Sequence, residues 1–431
     1  MNIKDSADRY EAWLRAQLEG DFDAEDLAEK HAKMADGAFQ FLRATYWRWA
    51  ETILEKDVCP ELKDGPAVLA VGDIHVENFG TWRDAEGRLV WGVNDFDEAA
   101  QMPYAIDIVR LATSAVLADV AGMTPDNICD SILKGYGDGI KADPPKPFVL
   151  DRHHEEMRRD FVVTEDEREK FWKKFDPVEI AADIEKHKTG GKRPKVRPVR
   201  EPPGRHDKVL KRAWPESRAG FACYARTAGT GSLGRPRFVG VGEWQGDLVV
   251  RETKAMVPSG WVLAHRGSRT LRCAEIATGR YRSPDPTYRL RGPVLVRRLS
   301  PNDFKIEVKE EKKEKEGKKS KGGTPGKKAP EQDNHKAVDP GTLVNAAMLE
   351  AMGYDLAAIH RGTRRRRQAI QDDLAARPDR WLCKAANAAS NQVESDFAAW
   401  SAVHRKIKQP MRVKTPRKKT GKKARKSKSA A

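Results

Sequence analysis

Two short apolar segments, each followed at once by polar residues, limit the fold of this chain more than any other feature. Residues 67–71 read AVLAV and lead into GDIHVENFG at 72–80, and residues 89–93 read LVWGV and lead into NDFDEA at 94–99. Short apolar runs bounded in this way are typical of buried strands with a polar loop at the C-terminal end. Segments of helical periodicity surround both runs: 6–56, 104–122, 126–139, 341–360 and 365–402. The aromatic residues near 39–50 are expected to be core, and the pattern as a whole favours an α+β fold.

The first polar loop carries Asp73 and Asn78, five positions apart. A carboxylate near a substrate hydroxyl can accept its proton, and an Asn carbonyl oxygen is a hard ligand suited to Mg²⁺. The alternative is a polar turn in which both side chains satisfy local backbone groups. This loop taken alone does not decide between the two.

The second polar loop places three acids, Asp95, Asp97 and Glu98, within four positions. Such carboxylates repel one another unless a cation or solvent separates them, so a metal site is one explanation and an exposed acidic turn is the other. The pairing with the first loop favours the metal site, because Mg²⁺ prefers a few oxygen ligands together with water and phosphate oxygens.

A glycine-rich segment, GTGSLG at 229–234, is followed by a strand-like RPRFVGVGEW and then by DLVVRETKAM, which contains Lys254. A dinucleotide-binding motif would be followed by a helix, so this segment is expected to lie in a β-hairpin. Its glycines would let backbone amides approach phosphates, and Lys254 would supply positive charge. An ordinary glycine-rich hairpin with a surface lysine is the alternative.

Together, GDIHVEN and NDFDEA resemble the motifs H-G-D-x-H-x-x-N and I-D-[FW]-[DE]-x-A of the kinase-like phosphotransferases, in the aminoglycoside and choline kinase branch, with Val71 replacing the first histidine. The fuller pattern G-D-x-H-x-E-N-F-G with N-D-F-D-E-A is similar to a bacterial family, the domain of unknown function numbered 2252, which is grouped with that superfamily. Asp107, in PYAIDIVRLATS, matches the Asp-x-x-Arg-Leu-Ala helix start of that family.

The resemblance implies an ATP- and Mg²⁺-dependent phosphotransferase. Asp73 would orient or deprotonate the acceptor, Asn78 and Asp95 would hold Mg²⁺, and Asp97 would be a second metal contact or a loop stabiliser. Lys254 would contact the phosphates. The Gly-rich loop would cover the phosphates with Gly229, Gly231, Ser232 and Gly234.

Two further roles follow from the same resemblance. The kinase lysine pairs with a glutamate on the next helix, which makes Glu275 the candidate on a helix expected over 268–281, with Glu252 as a nearby alternative. His75 is expected to brace its loop through a ring hydrogen bond rather than to act as a base.

The order of these parts differs from that of a kinase, since the catalytic and metal loops precede the Gly-rich loop and Lys254. A strand at 293–298 and a helix ending at His360 follow in the order found in kinases, so a circularly permuted, two-lobed kinase-like fold is expected. The sequence predicts a helical lobe with the catalytic and metal loops (1–185), a basic Pro/Gly-rich linker without a packed core (186–218), a β-rich nucleotide-binding lobe (219–301), a disordered charged insertion (302–338), a helical segment completing the large lobe (339–404) and a disordered basic tail (405–431).

The net charge of +16 suggests a nucleic-acid partner, but its distribution narrows that interpretation. Residues 405–431 contribute +13 and residues 305–336 contribute +4, which leaves −1 for the rest of the chain. Weak, salt-sensitive nucleic-acid binding is therefore expected from the tail alone. A nucleotide-binding module without transfer activity and a nucleic-acid-associated protein remain as alternatives to the phosphotransferase.

The rest of the composition bears on the cellular compartment of the protein and not on its substrate. Five widely spaced cysteines fit neither a disulfide framework nor a paired zinc site, and no segment has the pattern of a secretion signal or a membrane span. A cytoplasmic protein is expected. Neither the phosphate acceptor nor the oligomeric state can be inferred from the sequence.

Overall fold

The computed structural model describes residues 1–216, 220–306 and 344–408. Its helices are α1 (Ile3–Leu18), α2 (Ala24–Lys33), α3 (Ala38–Ala44), α4 (Tyr46–Thr52), α5 (Tyr104–Leu117), α6 (Pro125–Lys141), α7 (Glu155–Phe161), α8 (Glu165–Lys173), α9 (Pro177–Lys188), α10 (Gly204–Ala213), α11 (Gly260–His265), α12 (Cys273–Ala277), α13 (Ala346–Arg361), α14 (Arg367–Ala376) and α15 (Trp381–Lys408). Its strands are β1 (Ala67–Ala70), β2 (Phe79–Arg83), β3 (Leu89–Val93), β4 (Ala100–Pro103), β5 (Phe148–Val149), β6 (Val196–Val199), β7 (Ala222–Arg226), β8 (Arg237–Trp244), β9 (Asp247–Ala255), β10 (Arg289–Arg291) and β11 (Val294–Leu299). The expected α+β class is confirmed.

The largest apolar core lies among helices from both ends of the described chain. Helix α13 packs along α6, and α15 packs against α5 and α3. The aromatic residues predicted to be core are buried there, including Phe39, Phe41, Trp47 and Trp49. Residues before position 141 and after position 344 thus build one helical body.

Two small antiparallel sheets are attached to this body and carry the predicted loops. Strand β1 pairs with β4, while β3 lies between β2 and β5. The register pairs Phe79 with Val93. Because these residues are the first of β2 and the last of β3, the segments ending at Asn78 and starting at Asn94 meet at the same edge of the sheet.

A six-stranded antiparallel sheet in the order β10-β11-β9-β8-β7-β6 forms the second large element. On one face, valines pack against Phe175, which precedes α9, and against Ile180, which lies within it. The other face packs against Val209 of α10. Directly paired residues on antiparallel strands share a face. Lys254 is paired with Arg237 and with Leu295, so its side chain lies on the same face as theirs.

Most of the predicted elements are confirmed, including the helices within 6–56 and the strands at 67–71 and 89–93. The helix expected over 268–281 is wrong: only α12 forms, because Gly279 and the prolines that follow it do not continue a helix.

The segment 186–218 is also more structured than its composition predicts, since it contains β6 and α10 and buries Val209 and Leu210. The charged residues of α10 leave one apolar face, which packs on the sheet. Most of the expected insertion (residues 307–338) and most of the expected tail (residues 409–431) lie outside the described residues. Among the described helices, none has the length and apolar character needed to cross a lipid bilayer.

Candidate functional site

The loop that carries Asp73 is held in place by α5. Both carboxylate oxygens of Asp107 accept backbone N–H groups, from Val71 at 2.7 Å and from Gly72 at 2.9 Å. His360, at the end of α13, lies 3.1 Å from the same carboxylate. Gly72 has φ of 81°, and a Cβ atom there would collide with the carbonyl oxygen of Glu98, so only glycine fits this turn. Asp107, which matched the family motif in the sequence, therefore has a structural role in shaping the loop.

Asp73 forms an ion pair with Arg110, whose side chain is fully buried. Arg110 also donates to the carbonyl oxygen of Leu42 at 2.9 Å, and its guanidinium lies over the rings of Tyr46 and Trp49. Burial raises the pKa of Asp73 to about 7, although Arg110 opposes that rise. A carboxylate with a pKa near neutrality can accept a proton from a hydroxyl group at physiological pH.

Asn78 lies in the 3-10 turn between the Asp73 loop and β2. Its side-chain nitrogen donates to the carbonyl oxygen of Asp73, which leaves the Oδ1 atom as the one able to bind a cation. The carbonyl oxygen of Asn78 accepts the N–H of Asn94 at 3.0 Å. This bond fixes Asp95, the next residue, at the same edge of the sheet as Asn78.

Lys254 connects the six-stranded sheet with the second polar loop (94–99). Its buried ammonium group forms an ion pair with Asp97, and it lies 3.6 Å from a carboxylate oxygen of Asp95. Burial acts to raise the pKa of Asp95, but Lys254 and Lys305 outweigh it and lower that pKa far below its usual range. Burial, together with the charge of Asp95, raises the pKa of Asp97. Asp95 is thus the more acidic carboxyl group of the two.

A cluster of cations surrounds Lys254 on this face of the sheet. Glu252, which is almost completely buried, accepts hydrogen bonds from Arg237 at 3.1 Å and from Arg297 at 2.9 Å and forms an ion pair with Arg226. Three guanidinium groups on one carboxylate leave the face net positive before Lys254 is added. With Lys254 added and its partners Asp95 and Asp97 counted against it, the cluster keeps a net positive charge, which suits an anionic ligand.

The glycine-rich residues 229–234 form a turn that packs against the Asp73 loop. A Cβ atom on Gly231 would lie 3.2 Å from a carboxylate oxygen of Asp73, and the carbonyl oxygen of Gly231 accepts a bond from Lys30 at 2.8 Å. Gly229 and Gly234 have φ values of 75° and 92°, respectively. Ser232 accepts a hydrogen bond from Arg237 at 2.5 Å. The structure therefore brings the glycine-rich turn, Asp73, Asp95, Asp97 and Lys254 to one place.

The expected contact of Glu275 is not formed. Glu275 pairs with Arg272, three residues earlier in the chain and on the surface, so the expected pair with Lys254 is wrong; Lys254 pairs with Asp97 and Asp95 instead. Without the long helix expected over 268–281, no element directs Glu275 toward the sheet. The Nδ1 atom of His75 has no hydrogen-bond partner among the described residues, and its ring packs edge-on to Phe39.

Three residues of the site, Arg110, Arg235 and Lys305, were not singled out from the sequence, and Glu98 was named only as one of the three acids of the second polar loop. Glu98 accepts from Arg235 at 2.6 Å and from the N–H of Gly260 at 2.6 Å, which ties the acidic loop to the sheet and to α11. Lys305 pairs through its backbone with Gly80, next to the Asp73 loop. Arg110 carried the best sequence signal, because it belongs to the same Asp-x-x-Arg motif as Asp107.

The family model described as "Uncharacterized protein conserved in bacteria (DUF2252)" matches residues 23–192. This span supports the resemblance to that family and contains Asp73, Asn78, Asp95, Asp97 and Arg110. The glycine-rich turn and Lys254 lie outside it. No curated protein and no solved structure matches the chain.

Proposed function

We propose that this chain is an ATP- and Mg²⁺-dependent phosphotransferase with a two-lobed, kinase-like arrangement. One observation carries the proposal: Lys254 of the six-stranded sheet forms ion pairs with Asp97 and Asp95 of the helical body. The same interface brings Gly231 against Asp73. A phosphate-binding lysine, a metal-binding carboxylate and a proton acceptor around one space are the parts that phosphoryl transfer requires.

The contacts of α13 support a circular permutation. Thr363, just after this helix, accepts the N–H of Leu69 in β1 at 2.8 Å. Strand β1 leads directly to Asp73, so the end of α13 lies beside the strand that would follow it in a kinase. A kinase-like fold with its chain ends at a different position would therefore give the observed order of parts.

The donor atoms around Asp95 fit Mg²⁺. Asn78 offers its Oδ1 atom and Asp95 is held ionised, while the buried Oδ1 of Asn94 has no hydrogen-bond partner among the described residues. No group of three or more His, Cys, Asp or Glu side chains in the described ranges has the arrangement of a metal site. Mg²⁺ takes few protein ligands and completes its shell with water and phosphate oxygens.

The protein's own residues divide the reaction as follows. Asp73 accepts the proton of the acceptor hydroxyl as the hydroxyl oxygen bonds to the terminal phosphorus and the bond from phosphorus to the leaving diphosphate breaks. Arg110 is a positioning residue that orients Asp73. Lys254 and the arginines held by Glu252 stabilise the negative charge on the phosphate oxygens. Mg²⁺, held by Asn78 and Asp95, supplies further charge neutralisation when bound.

The test is the consumption of ATP by the purified protein with and without Mg²⁺. We expect Mg²⁺-dependent turnover that is lost in Asp73→Ala and in Asp95→Ala and kept in Asp57→Ala, a change at an exposed surface position. ATP binding that survives Asp73→Ala, with no turnover in any protein, would instead identify a nucleotide-binding module without transfer activity.

A further inference from the structure

A cavity separate from the site around Asp73 lies where α13 gives way to α14. Its volume is about 480 Å³, within the range of small-molecule sites. Its lining includes five arginines and one aromatic ring: Arg280, Tyr281, Arg361, Arg364, Arg365 and Arg367. None of these residues belongs to the cluster around Lys254.

Two of the arginines are fixed by the end of α6. Arg361 donates to the carbonyl oxygen of Ala142, and Arg367 donates to that of Lys141 at 2.6 Å. Both also pair with Asp143, at 3.7 Å and 3.1 Å, respectively. These contacts hold the two guanidinium groups at the cavity, and the single carboxylate of Asp143 balances only one of their two positive charges.

The other three arginines have no acidic partner among the described residues. Arg280 lies over the ring of Tyr281 at 5.2 Å, as Arg361 does, and Arg364 and Arg365 are exposed at the rim. Arg365 adopts φ of 59°, in the left-handed region that is uncommon for residues other than glycine. Five cations and one carboxylate thus leave a concentrated positive charge in a space of limited size.

The chemistry of this cavity matches phosphate. Guanidinium groups bind phosphate oxygens through paired N–H donors, and three unpaired ones can engage more than one phosphate. Helix α14 adds to this field, because its first turn has no acidic residue and its N-cap makes no side-chain hydrogen bond. The ring of Tyr281 already carries guanidinium groups, so it does not offer a free face for stacking a nucleic-acid base.

We propose that this cavity binds a small anion bearing two or more phosphate groups. It does so independently of the ATP site proposed above, since the two share no residues. Three members of the run of four arginines at 364–367, Arg364, Arg365 and Arg367, then belong to a binding pocket.

The experiment is isothermal titration of the full chain with sodium tripolyphosphate in the presence of EDTA. We expect saturable binding that Arg364→Ala/Arg365→Ala weakens at least about tenfold, because each lost charge-assisted contact is worth about that factor. Arg364→Lys/Arg365→Lys should weaken it less, since the charge is kept and the paired donors are lost. Circular dichroism of each variant checks that the fold is unchanged.

Two controls separate this cavity from other cationic regions. Arg152→Ala/Arg159→Ala removes two exposed arginines elsewhere and should bind tripolyphosphate as the natural chain does. Lys254→Ala removes the central cation of the proposed ATP site and measures how much of the binding belongs to that site. Unchanged binding in both Arg364→Ala/Arg365→Ala and Lys254→Ala would overturn the proposal and assign the anion to the basic tail, which every variant retains. Loss confined to Lys254→Ala would overturn it in favour of the ATP site. If an oligonucleotide displaced tripolyphosphate and its own binding required Arg364 and Arg365, the ligand of the cavity would be nucleic acid and not a small anion, which would overturn the proposal.

Discussion

Neutralising Asp73 should stabilise the protein at neutral and alkaline pH. Folding raises the pKa of this carboxyl from 3.8 to about 7 even though Arg110 is paired with it. Burial therefore disfavours the charged form of Asp73 more than the ion pair favours it. The shift corresponds to about 4 kcal/mol of unfolding free energy. Between about pH 4 and pH 7 the folded state binds the proton that the unfolded state has released, so this group makes the natural chain less stable as pH rises.

We therefore expect Asp73→Asn to change stability little at pH 4 and to raise the free energy of unfolding by up to about 4 kcal/mol at pH 8. The assay is urea unfolding followed by tryptophan fluorescence at pH 4, 5, 6, 7 and 8. Any pH-independent cost of the asparagine itself shifts all points equally, so the slope against pH carries the result.

Asp95→Asn is the matched control with the opposite sign. Its pKa is lowered by Lys254 and Lys305 against the effect of burial, so ionised Asp95 stabilises the fold above the unfolded pKa and loses this effect as pH falls. We expect Asp95→Asn to destabilise the protein most at pH 8. A difference between Asp73→Asn and the natural chain that stays flat or falls from pH 4 to pH 8 would refute the reasoning, because it would mean that the Arg110 pair outweighs burial.

Further expectations concern activity and binding. If Asp73 is the proton acceptor, kcat/KM for ATP-dependent transfer should rise with pH, with an apparent pKa of about 7. Arg110→Met should raise this apparent pKa by about one unit or more, since the lost guanidinium no longer lowers the pKa of Asp73. An apparent pKa that stays the same would show that another group titrates. Glu98→Gln should lower the unfolding free energy by about 2 to 4 kcal/mol, because the buried Arg235 loses its nearer carboxylate partner and keeps only Asp97 at 3.8 Å; a loss below about 0.5 kcal/mol in urea unfolding would contradict this. Removing residues 405–431 should abolish salt-sensitive binding of single-stranded RNA in a filter assay and leave ATP binding intact, since the tail carries +13; the reverse result would contradict this division of roles.

The sequence was most informative where chemistry and local structure coincide. Asp73 and Asp95 each stand two residues after an apolar run, so the convergence of these two could be expected from chain position alone. Strand β2 was missed because Phe79–Arg83 (FGTWR) follows the polar loop without a turn signal. The pairing of β2 with β3 is nevertheless what brings Asn78 and Asp95 together.

The rest of the site depends on contacts between residues far apart in the chain. Arg235 and Glu98 are separated by 137 positions, and no local pattern in either segment points to the other. Glu252 was named only as an alternative partner for Lys254, whereas it organises three arginines on the same face. Glu275 failed because its assignment required both a helix and the correct helical phase, and the helix has only five residues. Such features follow from tertiary packing, which sequence periodicity does not encode.

The central claim is that Lys254, Asp95 and Asn78 bind ATP together with Mg²⁺ at the interface of sheet and helical body. Equilibrium binding of a non-hydrolysable ATP analogue tests it without knowledge of the acceptor. We expect saturable binding that requires Mg²⁺ and is weakened at least about tenfold by Lys254→Ala, measured in the Arg364→Ala/Arg365→Ala background so that the arginine-lined cavity does not contribute. Binding that is absent, or that persists equally without Mg²⁺ and in Lys254→Ala, would contradict the account.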